Sequence, residues 1–381
     1  MKDCGQQLAV PCTYMRGGTS KAIFVKGEDL PPAGHERDAV LMRMMGNPDI
    51  NEIDGMGGAQ LVTSKLAVID PSTNPDADID YTFGQAEILK ANIDYRANCG
   101  NISSAVGPFA IAEGYVKAVE PVTVVRVFNT NSQKILYLHV PVVNGEPQVM
   151  GDYHIDGVPG TGASILMDYH KTLGAETGKC LPTGNVTDIL KLDNGKSVEI
   201  TVCDYANVSI FVHAKDLGIE CTESKPELDN NKELLDLVRE IRGKIGEQIG
   251  FCKDWKEIDD VSPLLPLVFA VREPESTETE DIRIRLFLLN KCHPTLAGTG
   301  SVCLGASCGI EGSVSNKVAN TPDIHSFTLR ARHPLGIMPV IVESKPVEGQ
   351  NYPDFTKLAY HRTARKIMKG DVFIPNVSYK N

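Results

Sequence analysis

The sequence predicts an α+β protein of two similar domains, each a curved mixed β-sheet wrapped around one central helix. Three observations lead there. Alternating apolar runs outnumber helical periodicities, one short pattern occurs twice in the same setting, and two long runs of small residues hold matching places in the two halves. The chain has 381 residues, 42% of them hydrophobic. That length calls for two cores, because single cores stop growing at about 250–300 residues.

The strands come first. Residues 21–26 (KAIFVK), 122–128 (VTVVRVF), 135–143 (ILYLHVPVV) and 198–202 (VEITV) are bounded by Gly, Pro, Asn and Asp turns. Helical spacing marks 36–45, 163–173 and 233–249, the last with Leu234, Leu237, Val238, Ile241 and Ile245 on one face. The internal repeat aligns residues 23–30 (IFVKGEDL) with 210–217 (IFVHAKDL). In the same order, 98–114 (NCGNISSAVGPFAIAEG) answers 297–313 (AGTGSVCLGASCGIEGS), both crowded with Gly, Ala, Ser and Cys. A helix that is small and apolar all round must be enclosed by close walls, which strand-rich halves supply. Central helices are therefore expected over about 99–114 and 299–313, their N-termini facing a shared cleft, with a kink or break over 104–108 because Pro108 lacks a donor. Residues 179–185 (KCLPTGN) are a crossing point, and 362–375 ends in a strand that returns to the first half. The expected domains are 1–183 plus 364–381, and 184–363.

Composition narrows the function. With 38 Lys+Arg against 49 Asp+Glu the formal charge is -11, a field that repels phosphate backbones and argues against nucleic acid. No run reaches the roughly 20 apolar residues of a membrane span, and the N-terminus lacks a secretory core, so a cytoplasmic protein is expected. The ten cysteines occur singly, without a CxxC, as free thiols of a reducing compartment. Cys292, Cys303 and Cys308 with His293 match no usual ligand spacing, so no metal is expected. GxSxG and HExxH are absent.

The chemistry then concentrates at the helix starts. Gly100 and Asn101 in one run, and Thr299, Gly300 and Ser301 in the other, offer free backbone N–H groups; two such ends suit a substrate with two carboxylates. The same dipole favours a thiolate at Cys99, a candidate base; the alternative is a small residue tolerated at a tight turn. Lys65 lies in an apolar strand, 61–70 (LVTSKLAVID), after a loop ending at Gln60 and directly after Ser64. It is either an outward lysine or one held by a partner anion, with a pKa suited to acid or base work. Arg16 opens a turn (RGGTSK) carrying the hydroxyls of Thr19 and Ser20, but it lacks the order of a phosphate loop. His293 and Arg285 are further candidates for holding carboxylate, each with a purely structural role as the alternative.

Together, 16–21 (RGGTSK), 63–65 (TSK), 98–103 (NCGNIS) and 293–301 (HPTLAGTGS) resemble the PrpF family of isomerases over nearly the whole chain. The resemblance implies the diaminopimelate epimerase-like fold, an active site in the interdomain cleft, no cofactor, and a catalytic pair falling on Lys65 and Cys99. It also implies a small unsaturated di- or tricarboxylic acid as partner, and leaves room for a homo-oligomer. The preferred reaction is 3-methylitaconate to 2,3-dimethylmaleate, ahead of 2-methylaconitate cis-trans isomerisation and 4-oxalomesaconate tautomerisation. A reading from another class is a non-catalytic dicarboxylate-binding protein. Epimerases of this fold use two cysteines, one at each central helix; here Thr299 is taken to stand where the second would be, which disfavours two-thiol racemisation.

Overall fold

The computed structural model describes residues 1–95 and 98–376, and its contacts divide the chain into Met1–Met167 joined by the chain from His361 onward, and Asp168–Tyr360. In the first unit β1 (Gln7–Gly17) pairs antiparallel with β2 (Ser20–Lys26), which runs through helix α1 (His35–Met45) to the parallel β3 (Lys65–Pro71). Strand β4 (Ile79–Ala86) returns antiparallel to β3. The chain then enters helix α2 (Gly100–Ala112) and emerges as β5 (Val122–Asn129), parallel to β4 and antiparallel to β6 (Lys134–Val143). The C-terminal strand Ala364–Pro375 pairs along β1.

The second unit repeats this order. Strand β7 (Ser197–Tyr205) pairs antiparallel with β8 (Asn207–His213), helix α3 (Lys232–Gln248) leads to the parallel β9 (Leu267–Arg272), and β10 (Ile282–Leu288) returns. After helix α4 (Gly298–Cys308), β11 (Ser326–His333) lies parallel to β10 and antiparallel to β12 (Gly336–Lys345). The repeated octapeptide marks the equivalent place in each copy, the strand before the outer helix, followed by the 3-10 turns Gly27–Asp29 and Ala214–Leu217.

Side-chain parity sorts the layers. Ile23, Val25, Leu66 and Val68 form a core with Val40, Leu41, Met44 and Met45 of α1. Their neighbours in sequence face the other way, where Phe24 meets Phe109 of α2 with ring centroids 5.3 Å apart. Every residue from Ile102 to Ile111 of α2, and from Thr299 to Cys308 of α4, is buried. The enclosure that small side chains demanded is therefore present in each unit.

Three expectations are corrected. Helix α2 is continuous through Pro108, so the expected break is absent, and the residues on either side of the proline are buried. Residues 163–173 are not a helix: Ile165–Asp168 is a strand with Ile165 and Met167 inward, closed by a turn from Tyr169 to Thr172. The units also divide earlier than residues 183 and 363. Asp204 explains the first shift, since its carboxylate accepts from the N–H groups of Glu176 and Thr177, and its own N–H donates to the Cys180 carbonyl. The segment around Gly174–Cys180 is thereby stitched to β7.

Walls this close leave no room for a larger side chain. A Cβ on Gly107 would lie 2.7 Å from Val140 Cγ2 and 3.2 Å from Leu138 Cβ. Gly107→Leu is expected to lower unfolding free energy by about 1–3 kcal/mol, measured by urea titration, with a shift below about 0.5 kcal/mol meaning that the walls give way.

Candidate active site

Strand β3 begins at Lys65 because the four residues before it fold into a turn, the N–H groups of Thr63 and Ser64 both donating to the Gln60 carbonyl. The strand expected from residue 61 is thus shorter, and Leu61 and Val62 are exposed. Parity puts Lys65 on the face shared with Ala67, opposite Leu66 and Val68 and on the α2 side. Its side chain is only 8% exposed. The ammonium donates to Gln85 Oε1 at 2.6 Å and lies 5.1 Å from the Phe83 ring centroid. Among the described residues it has no carboxylate partner. Burial answers the question left open by pattern: this lysine does not point outward.

Ser64 and Gln60 shape the turn that delivers Lys65. The Ser64 hydroxyl donates to Glu52 Oε2 at 2.5 Å, and its carbonyl accepts from Gln85 Nε2 at 2.8 Å. Glu52 is 1% exposed and also accepts from the Ala59 N–H at 2.8 Å, so a buried carboxylate pins the loop that delivers Lys65.

Cys99 is the N-cap of α2, extended at φ -127°, and its half-buried side chain makes no capping bond. The first-turn N–H groups are thus not taken by the Cys99 side chain. Its carbonyl accepts from the N–H and hydroxyl of Ser103. Preceding it, Asn98 Oδ1 accepts from Asn129 Nδ2 at 3.2 Å. The RGGTSK turn sits against the same helix start. Asn101 Nδ2 donates to Thr19 Oγ1 at 3.0 Å, and Gly18, at φ +50°, lies so near that a Cβ there would be 2.1 Å from Asn101 Oδ1. Arg16 is a staple, donating to the carbonyls of Gly18 and Thr363, while Ser20 is buried in the strand pair.

In the second unit, Ala297 is the N-cap of α4 and its carbonyl accepts from the Ser301 N–H, as Cys99 does from Ser103. The residue equivalent to Cys99 is therefore Ala297, which corrects the placement at Thr299; the absence of a second thiol at that position stands. Thr299 Oγ1 accepts from Asn207 Nδ2 at 2.7 Å, Ser301 Oγ donates back to Gly298 O, and Gly300 packs on Phe269. Arg285 does not join them. Its register partner Ala270 belongs to the core beneath α3, so parity sends it to the opposite face from Phe269, where it donates to the Glu223 and Ile284 carbonyls. His293 Nδ1 accepts from the Thr295 N–H in the turn before α4.

Residue patterns alone passed over four groups. Gln85, Phe83 and Tyr81 are successive inward residues of β4, a period of two visible in DYTFGQA. Tyr81 is fully buried next to Cys99 and Ser103 with no well-formed hydrogen bond to its hydroxyl; burial, then Cys99, hold its pKa far above the ordinary value. Arg362 Nε donates to Asn101 Oδ1 at 3.3 Å, bringing a cation to the start of α2 from the far end of the sequence.

The PrpF protein family model matches residues 7–375. The chain is 46% identical to the 3-methylitaconate isomerase of Eubacterium barkeri, over 97% of this chain and 98% of that one. A crystal structure of methylitaconate-delta-isomerase superposes with a TM-score of 0.90 at 44% identity, covering 99% of this chain and all of that one. A hydroxyproline epimerase from Agrobacterium vitis shares the fold at 11% identity, with a TM-score of 0.55 over 98% of this chain and 94% of that one.

Two stability outcomes are expected. The Tyr81 hydroxyl has at most a weak contact with Ser103, so Tyr81→Phe should unfold in urea within about 1 kcal/mol of the parent, and a larger loss would reveal a strong hydrogen bond. Burial also holds the imidazoles of His293 and His361 below their ordinary range. The unfolded chain then takes up protons that the folded one refuses, so this stability is present above about pH 6.5 and falls as pH drops below it. His293→Gln should flatten the urea midpoint against pH between 7 and 5, and an unchanged slope would exclude it.

Proposed function

Because the chain belongs to the PrpF family, we propose that this isomerase moves the double bond of 3-methylitaconate to give 2,3-dimethylmaleate, by a 1,3-proton shift without a cofactor. The observation that carries the reading is Lys65. It is a buried ammonium whose acceptor is a neutral amide, on the face of the sheet that carries α2 and beside a strand whose next inward residues lead to Cys99. A cation desolvated in this way and left without a carboxylate favours an anionic ligand.

In the proposed step, the Cys99 thiolate takes the proton from the carbon bearing the methyl and carboxylate groups. The released electron pair forms the internal double bond, the former double bond shifts its pair to the terminal methylene, and Lys65 gives that carbon a proton. Proton exchange with solvent resets both groups, and no atom is lost. A carboxylate acidifies its neighbouring carbon only weakly, so the dienolate-like charge needs help. The N–H groups at the start of α2 and the Lys65 ammonium supply it, the kind of stabilisation worth about 3–4 kcal/mol per donor.

The partner is thus a small unsaturated polycarboxylate, and the excess of negative charge speaks against nucleic acid. No described helix is long and apolar enough to cross a membrane. Free thiols at all ten cysteines suit the cytoplasm.

Cys99→Ala and Lys65→Ala are each expected to lose at least about 100-fold in turnover, followed by ultraviolet absorbance and by deuterium uptake from solvent. Full activity in either variant removes that residue from the mechanism. Turnover of 2-methylaconitate or 4-oxalomesaconate in place of 3-methylitaconate would overturn the substrate, and silence with all three would leave a binding protein.

A further inference from the structure

We infer that Gln85 is the positioning residue that holds Lys65 as an exchangeable proton donor, by giving it an acceptor that is fixed in direction yet uncharged. The inference rests on the role proposed for Lys65 above.

The orientation of the amide is determined by its other end. Gln85 Nε2 donates to the Ser64 carbonyl at 2.8 Å and to the Ala86 carbonyl at 3.3 Å. Both partners are acceptors only, so the nitrogen must face them and the oxygen must face Lys65 Nζ, 2.6 Å away. Lys65 and Gln85 are direct register partners on β3 and β4, which keeps the side chains together without a flexible loop between them. Ser64 is itself pinned by Glu52. The order of support therefore runs from a buried carboxylate, through a serine, to the amide and then to the ammonium.

The neutrality of the acceptor is what matters chemically. A carboxylate at residue 85 would satisfy the lysine just as well in geometry, but it would stabilise the charged form and compete with a substrate carboxylate for it. An apolar residue there would leave the ammonium with the Phe83 ring alone and penalise the charged form. The amide does neither: it directs one N–H and leaves the remaining two N–H groups and the full charge for the ligand. The ammonium meets Gln85 and Phe83 of β4, with Tyr81 and Cys99 further along the same side. Asp94, the register partner of Gln85 on the short strand Ile93–Asp94, shares that face beyond the amide. Among the described residues no carboxylate contacts Lys65.

Gln85→Glu and Gln85→Met separate this role from simple packing, because both keep the side-chain length and shift Lys65 in opposite directions. The readout is the pH dependence of Lys65 acetylation by trace acetic anhydride, quantified by mass spectrometry, alongside the pH profile of kcat. Relative to the parent, the Lys65 titration and the alkaline limb of kcat should move upward by at least about one unit in Gln85→Glu and downward in Gln85→Met. Identical Lys65 titrations in all three proteins would overturn the inference, as would shifts of the same sign in both variants. If Lys65→Ala keeps full activity, the proposed reaction fails, yet the acetylation titration still tests how Lys65 is held.

Discussion

Everything in this protein depends on how closely a β-sheet can wrap a helix. Interiors are packed at the density of organic crystals, so a helix surrounded by strands must be made of residues that let the backbones approach. That one requirement explains why α2 and α4 are built from Gly, Ala, Ser and Cys, and why they are buried along nearly their whole length. It also explains why the turn of residues 16–21 is rich in glycine, since Gly17 and Gly18 lie against Asn101 at distances that no Cβ would tolerate. A wrapped helix has no solvated side, and the place where its backbone donors stay free is its first turn. Packing thus decides where a charge can be received before any catalytic residue is considered.

The inner face of β4 extends that logic to side chains. Residues two apart on a strand are about 7 Å apart, so Tyr81, Phe83 and Gln85 form a ruler running from the start of α2 to the start of β3. The Tyr81 phenol lies near the Cys99 thiol, Gln85 holds the Lys65 ammonium, and the Phe83 ring faces that ammonium. Rigid elements of this kind hold side chains in place better than loops do.

Much of this was legible in the sequence. The duplicated octapeptide and the paired small-residue runs gave the two-unit topology, because both reflect packing constraints that act locally. Cys99 and Lys65 stood out as candidates because a thiol at a helix start and a lysine in an apolar strand each contradict their surroundings, and the positions themselves, an N-cap and a buried strand residue, are those the pattern implied. Arg285 misled because a strand's parity relative to the two layers depends on register, which only the pairing with Ala270 reveals. Gln85 and Arg362 were passed over for a related reason: their partners, Lys65 and Asn101, are distant in sequence. Residues 163–173 carried a helical period but became a strand and turn, an instance of tertiary pairing overriding local preference.

The mismatch between the two helix caps has a consequence for how the halves can change over time. Under the proposed mechanism Cys99 carries the reacting atom and its side chain is under chemical constraint, whereas Ala297 offers only main-chain donors and shape. On that mechanism one copy of the duplicated scaffold is relieved of reactivity. The relieved copy can accept a variety of small residues at that cap while the other cannot, so the two originally equal ends should tolerate substitution very unequally.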